Sequence, residues 1–159
     1  MIRKITEQDF DFIYELYMHP EVNGYLLYEP MPAHEFKDIF KDLLNKSIVY
    51  IFEDNGTATG MFKLVPLTYR MSHVAYLGGL AIHPSFSGKG LGLMMIKEIL
   101  AHAREQGFLR VELSVLPNNE KAIRLYEKAG FEKEGVLRKY SHFKKENIFL
   151  DEIIMSWLA

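Results

Sequence analysis

The chain has 159 residues, of which 48% are hydrophobic and 25% charged, and its formal net charge is −2. These values describe one folded, water-soluble domain; they exclude a disordered chain and a protein-wide basic footprint for nucleic acid. No cysteine is present, which excludes disulfides, thiolate nucleophiles and Cys-ligated zinc.

The N-terminus, Met1 to Thr6, runs into charge without the apolar stretch of a signal peptide. No segment approaches 18 consecutive apolar residues. A cytoplasmic protein with no membrane contact is the expectation, and the lack of repeats or linkers predicts one domain over 1–159. Residues 2–6 read as a strand. Thr6 then caps a helix whose first turn carries Glu7 and Asp9, where the helix dipole favours acid. Its apolar face is Phe10, Ile13, Tyr14, Leu16 and Tyr17, and His19-Pro20 ends it. Residues 21–32 form a loop, and Pro32 starts a second amphipathic helix bearing Phe36, Ile39, Phe40, Leu43 and Leu44.

Ser47 to Asp54 and Ala58 to Leu67 read as strands joined at Asn55-Gly56, a strong hairpin signal. A third strand is predicted from His73 to Ile82. The Gly78-Gly79 pair inside it predicts a bulge, or close approach of a backbone or ligand. A helix follows to about Gln106, with Leu93, Ile96, Leu100 and Ala103 on its inner stripe and Gly107 as its stop. Residues 108–116 alternate as a strand. Asn118 or Asn119 caps a helix with Ala122, Leu125, Tyr126 and Ala129 at helical spacing, and Gly130 ends it. Strands near 131–140 and 148–158 close the chain. The order β-α-α-β-β-β-α-β-α-β-β predicts a mixed sheet with helices on its faces.

Ser87-Gly88-Lys89-Gly90-Leu91-Gly92 lies between a strand and a helix. Alternate glycines let a backbone approach a ligand without Cβ clashes, and the helix start is a ready anion site. The turn is not a Walker A loop, because no Gly-Lys-Ser/Thr occurs. Nor is it a dinucleotide fingerprint, because the spacing is G-x-G-x-G and the acid at a fitting distance, Glu112, falls mid-strand.

The turn resembles the acetyl-CoA motif of the GCN5-related N-acetyltransferases (the GNAT superfamily), Arg/Gln-x-x-Gly-x-Gly/Ala after a strand ending near Pro. Here the strand is Gly78-Gly79-Leu80-Ala81-Ile82-His83-Pro84, and Ser87 replaces the usual Arg or Gln. A second segment, Asn119-Glu120-Lys121-Ala122-Ile123-Arg124-Leu125-Tyr126-Glu127-Lys128-Ala129-Gly130-Phe131, resembles the superfamily's N-x-x-A-x-x-x-Y-x-x-x-G-F. Together the two are specific, and the element order matches along nearly the whole chain. The resemblance implies an α/β (α+β) GNAT fold: a mixed, mostly antiparallel sheet splayed at a bulge, with helices on both faces. It also implies a small bacterial-type enzyme that moves an acetyl group from acetyl-CoA to a small-molecule amine, possibly of an amino acid.

The resemblance further assigns residues. Backbone groups of Leu80, Ala81 and Ile82 would hold the pantetheine arm, with the N–H near Leu80 polarising the thioester. Ser87 would frame the turn, and the amides of Gly88, Lys89, Gly90, Leu91 and Gly92 would hold the diphosphate. Lys121 would meet phosphate, and Asn119 would contact pantetheine, cap its helix, or do both. Tyr126 would protonate the leaving thiolate as a general acid. Many relatives carry a base Glu near position 76. Here Tyr76 stands there, leaving Tyr76, His73, Glu112 or a water chain as base, and favouring a weakly basic acceptor such as an α-amino group. Tyr28, His73, Tyr76 and Arg138 are the candidate acceptor contacts, with Tyr25, Leu26, Leu27, Tyr69 and Phe143 as further lining. Arg70 and Lys139, like Arg138, would suit a carboxylate. Protein N-terminal or lysine acetylation, and cofactor binding without turnover, are the alternatives. No metal is expected, since the six histidines lack ligand spacing. Edge pairing into a homodimer suits the fold.

Overall fold

In the computed structural model, which describes residues 1–159, the strands are β1 (Ile2–Lys4), β2 (Val49–Asp54), β3 (Thr57–Pro66), β4 (Val74–Ile82), β5 (Arg110–Val115), β6 (Glu132–Phe143) and β7 (Ile148–Leu158). The helices are α1 (Phe10–Met18), α2 (Ala33–Lys46), α3 (Leu91–Glu105) and α4 (Glu120–Lys128). The strands form one sheet in the order β1-β2-β3-β4-β5-β7-β6. Only β4 and β5 run parallel; every other neighbouring pair is antiparallel. Parallel neighbours need a long crossover, and α3 supplies it.

Period-two alternation gives the sheet two apolar faces. Phe62, Leu64, Leu77, Val111, Leu113 and Met155 meet α3 and α4 through Met95, Ile96, Ile99 and Ile123. Val49, Ile51, Met61 and Ala81 meet α1 and α2 through Ile13, Leu16, Tyr17 and Phe36 on the opposite face. Each fully buried Leu or Ile contributes about 1.5–3 kcal/mol. The second core covers only the β1–β4 half, so the Glu112 and Ser114 face of β5 has no helix against it.

Local chemistry accounts for the boundaries. Asn55 and Gly56 both take positive φ, 49° and 78°, the backbone that a two-residue hairpin requires. Gly107 stops α3 at φ 85°. Three details differ from expectation. Asp9 does not serve the helix dipole alone: it is buried and accepts hydrogen bonds from Arg3 at 2.8 and 2.9 Å and from the Thr6 N–H at 2.7 Å. The buried stripe of α3 is Leu91, Met95, Ile96, Ile99, Leu100 and Ala103, rotated from the expected one so that Leu93 is only half-buried. Finally, β6 continues to Phe143, past an irregularity at Lys139, whose N–H donates to Asp151 at 2.7 Å.

Candidate active site

The site begins where two parallel strands part. β4 pairs with β5 only through Val74, Ala75 and Tyr76, opposite Arg110, Val111 and Glu112. On the other side of β4, Met61 faces Ala81 while Lys63 faces Gly78. Phe62 therefore faces two residues, Gly79 and Leu80. That is a β-bulge, with Gly79 at φ 56°, and a bulge sharpens the local twist. The rest of β4 turns away from β5 and leaves a wedge-shaped gap. Beyond the bulge, the His83 N–H donates to Thr59 on β3 at 2.8 Å. Backbone groups alternate in direction, so those of Ile82 and Leu80 turn toward the gap. An extended ligand can pair with them as an added strand would.

The glycine turn continues from this gap. Gly88 and Gly90 take φ 79° and 77°, and no atom lies within 4 Å of where a Cβ would stand on either. The N–H groups of Gly88, Lys89 and Gly90 bond to no backbone carbonyl. Gly90 also gives α3 no side-chain cap, so the first helical N–H groups, from Leu91 on, are free as well. Free amides converging at the start of a 15-residue helix fit a diphosphate followed by an extended arm. The Ser87 N–H donates to the Pro84 carbonyl at 3.0 Å, at the entry to this turn. Lys89 is exposed and its ammonium lies 5.5 Å from the Phe86 ring centroid. Gly92 carries a packing constraint as well. A Cβ there would stand 3.0 Å from Leu125, so this glycine serves the packing of α3 on α4.

α4 supplies the floor. Asn119 caps it, accepting the Ala122 N–H at 3.3 Å, and Lys121 is exposed on its first turn. Tyr126 is 7% exposed and packs on Phe131 with ring centroids 5.8 Å apart. Burial, with the nearby Tyr76 phenol, pushes its hydroxyl well above the ordinary tyrosine range. It therefore holds its proton at any physiological pH.

Across the gap, the Tyr76 hydroxyl shares a hydrogen bond of 3.0 Å with Ser114. Burial raises this phenol too, and the Ser114 bond works in the opposite direction. Tyr28 packs against Tyr17 at 4.9 Å and lies under the Lys63 ammonium at 5.3 Å. Tyr25 and Phe143 line a cleft of about 500 Å³ with Leu116 and Asn118. Arg138 is exposed on β6.

His73 is not brought to the gap. It precedes β4, six residues from Gly79, which the rise of a strand converts to about 20 Å. Its carbonyl accepts the N–H groups of Leu109 and Arg110. Tyr69, 93% exposed, and Arg70 lie on the turn just before it, at the same distant end. Glu112 is held by Arg110 at 2.9 Å. Sequence reasoning missed Lys63, Tyr17 and Ser114. Only Lys63 carried a signal: a lysine between buried Met61-Phe62 and Leu64 interrupts an apolar strand.

The acetyltransferase (GNAT) family profile matches residues 4–131. The chain is 29% identical over 147 residues to the L-amino acid N-acetyltransferase AaaT of Escherichia coli, covering 89% of this chain and 88% of that one. It is 27% identical over 144 residues to a spermidine N(1)-acetyltransferase of Escherichia coli, covering 86% and 74%. Its fold superposes with a TM-score of 0.86 on the spermidine N-acetyltransferase of Vibrio cholerae in complex with CoA and spermine, at 23% identity over 99% of this chain and 94% of that one.

Proposed function

The chain belongs to the acetyltransferase (GNAT) family, and we propose that it transfers the acetyl group of acetyl-CoA directly to the primary amine of a small molecule, an amino acid in particular. The observation that carries this reading is the combination of free amides at Gly88 to Gly90, a β4 edge left unpaired beyond Tyr76, and a buried Tyr126 phenol close enough to feel that of Tyr76. The co-substrate supplies its acyl group as a thioester, and this combination presents each kind of partner that it requires.

The turn amides hold the diphosphate, and Leu80 and Ile82 pair with the pantetheine arm. The N–H near Leu80 donates to the thioester oxygen as negative charge develops there. Attack by the amine and loss of the thiolate complete the transfer, and Tyr126 gives the thiolate its proton. A phenol raised by burial suits that task, because it stays protonated until a strong base appears beside it. With no cysteine in the chain, no acetyl-cysteine forms and the amine attacks the thioester itself. An α-amino group is less basic than a lysine amine, whose pKa is about 10.4, and so needs less help to lose its proton. That matches a gap whose wall carries Tyr76 bonded to Ser114, with the nearby Glu152 carboxylate already accepting from Ser141. The amino-acid acetyltransferase among the relatives supports the same acceptor class.

The test is release of CoA thiol from acetyl-CoA across a panel of amino acids, polyamines, aminoglycosides and peptides. Release with amino acids is expected. Binding of acetyl-CoA with no release for any amine would make the protein a cofactor-binding module instead.

A further inference from the structure

Lys63 is an unusual residue to find at the centre of β3. Met61 and Phe62 before it are fully buried, and Leu64 after it is 4% exposed. Its stem crosses the two glycines of the bulge: a Cβ on Gly79 would stand 3.3 Å from Cε of Lys63 and 2.8 Å from the Tyr17 hydroxyl. The glycine pair thus clears space for the protein's own side chains on this face. The ammonium ends 5.3 Å from the Tyr28 ring centroid, and none of the ion pairs in the structure includes it. Asp42, the carboxylate that acts on Tyr28, is taken by Lys46 at 2.7 Å. Burial and the like charge of Lys46 both weigh against the Lys63 cation. Beneath the same glycine, the Tyr17 hydroxyl is buried with no hydrogen-bond partner. The α1 and α2 side of the bulge therefore carries two donors, one of them cationic, and neither is paired with an anion. Largely buried charge without a partner is costly and normally is paired.

We propose that Lys63 anchors a carboxylate of the acceptor, so that the molecule acetylated is an amine with an anionic group a few bonds from its nitrogen. The class is α-amino acids, and polyamines are rejected. The inference rests on the transfer reading above, which places the thioester at the Gly79–Leu80 bulge. An amine presented there has its α-carboxylate two bonds away, on the side where the Lys63 stem touches Gly79. The Tyr17 hydroxyl lies buried behind the same glycine without a partner, so no carboxylate of the protein neutralises this side of the bulge. A polyamine would bring further positive charge toward Lys63 and be repelled.

The experiment compares each common L-amino acid with its carboxamide, and both with spermidine, in wild type, Lys63→Met and Lys63→Arg. Methionine keeps an unbranched stem without charge, and melting curves confirm that each variant folds. We expect wild type to prefer acids over amides by about tenfold or more in kcat/KM. Lys63→Met should lose that preference chiefly through KM, leaving the acetyl-CoA dissociation constant unchanged, and Lys63→Arg should restore part of it. Equal use of acids and amides by wild type, an unchanged ratio in Lys63→Met, or better use of spermidine would overturn the assignment. If no amine is acetylated, the transfer reading fails, and calorimetry of acids against amides on the CoA-loaded protein decides the anchor separately. A preference for acids that Lys63→Met abolishes supports it; no preference overturns it.

Discussion

The two faces of β4 are built by different means. On the α3 and α4 face, the contacts offered to a ligand are mostly backbone: turn amides at Gly88 to Gly90 and the strand edge at Leu80 and Ile82. On the α1 and α2 face, the groups around the glycine pair are side chains from separate elements, namely Tyr17 from α1, Tyr28 from a loop, Lys63 from β3 and Tyr76 from β4. On the proposed reading, the first kind of site meets the diphosphate and pantetheine that every acyl-CoA shares. The second can change its acceptor by changing a side chain without disturbing the first. One bulge serves both, because Gly79 opens the gap on one side and leaves room for Lys63 and Tyr17 on the other.

The strongest way to break that comparison is Gly79→Val, which strikes both faces together. A β-branched residue at φ 56°, with its Cβ 2.8 Å from the Tyr17 hydroxyl, should cost about 3 kcal/mol and lower the melting temperature by about 10 °C. Acetyl transfer should vanish with it. A melting curve within a degree of wild type would show that the bulge tolerates a side chain. Gly90→Val acts on the cofactor face alone. Its φ of 77° and open surroundings predict strain confined to the turn, and calorimetry should show CoA binding weakened about tenfold, equivalent to 1.4 kcal/mol. Amino-acid preference should stay as in wild type.

Asn119→Ala separates capping from ligand contact. Loss of the cap to Ala122 should cost about 1 kcal/mol in a denaturant titration. An unchanged CoA dissociation constant would then leave Asn119 a cap alone, whereas weaker binding would add the pantetheine contact. The smallest effect is expected far from either pocket. The Glu134 carboxyl is lowered to about 2 by hydrogen bonds from Arg110 and then Ser156. Its unfolded value is higher, so its contribution to stability is complete above that value and is lost as pH falls toward 2. Glu134→Gln should flatten stability against pH in that acid window and change little at pH 7, as melts between pH 2 and 7 will show.

How much of this was legible in the sequence follows the same division. The turn, the bulge and the α4 cap depend on local chemistry, so Gly88, Gly90 and the Gly78-Gly79 pair announced the first two from spacing alone, and the cap was narrowed to Asn118 or Asn119, of which the structure uses Asn119. The splaying of β4 from β5 was implied by resemblance and is now traced to the two-for-one pairing opposite Phe62. Local reading of Gly92 saw only ligand approach, and its second constraint, the Leu125 side chain above it, shows only once α3 packs on α4. It also placed His73 among acceptor contacts, since the direction of a strand relative to a gap is not written in either strand. Ser114, Tyr17 and Lys63 meet the site only once the sheet order and α1 are set, and no short motif carries that information.

The central claim is that the buried phenol of Tyr126 gives its proton to the departing thiolate. Its most direct test is Tyr126→Phe, measured as kcat at saturating acetyl-CoA beside the acetyl-CoA dissociation constant. Phenylalanine keeps the packing on Phe131 and removes one hydroxyl. Turnover is expected to fall about 100-fold while the dissociation constant holds; turnover equal to wild type would contradict the account.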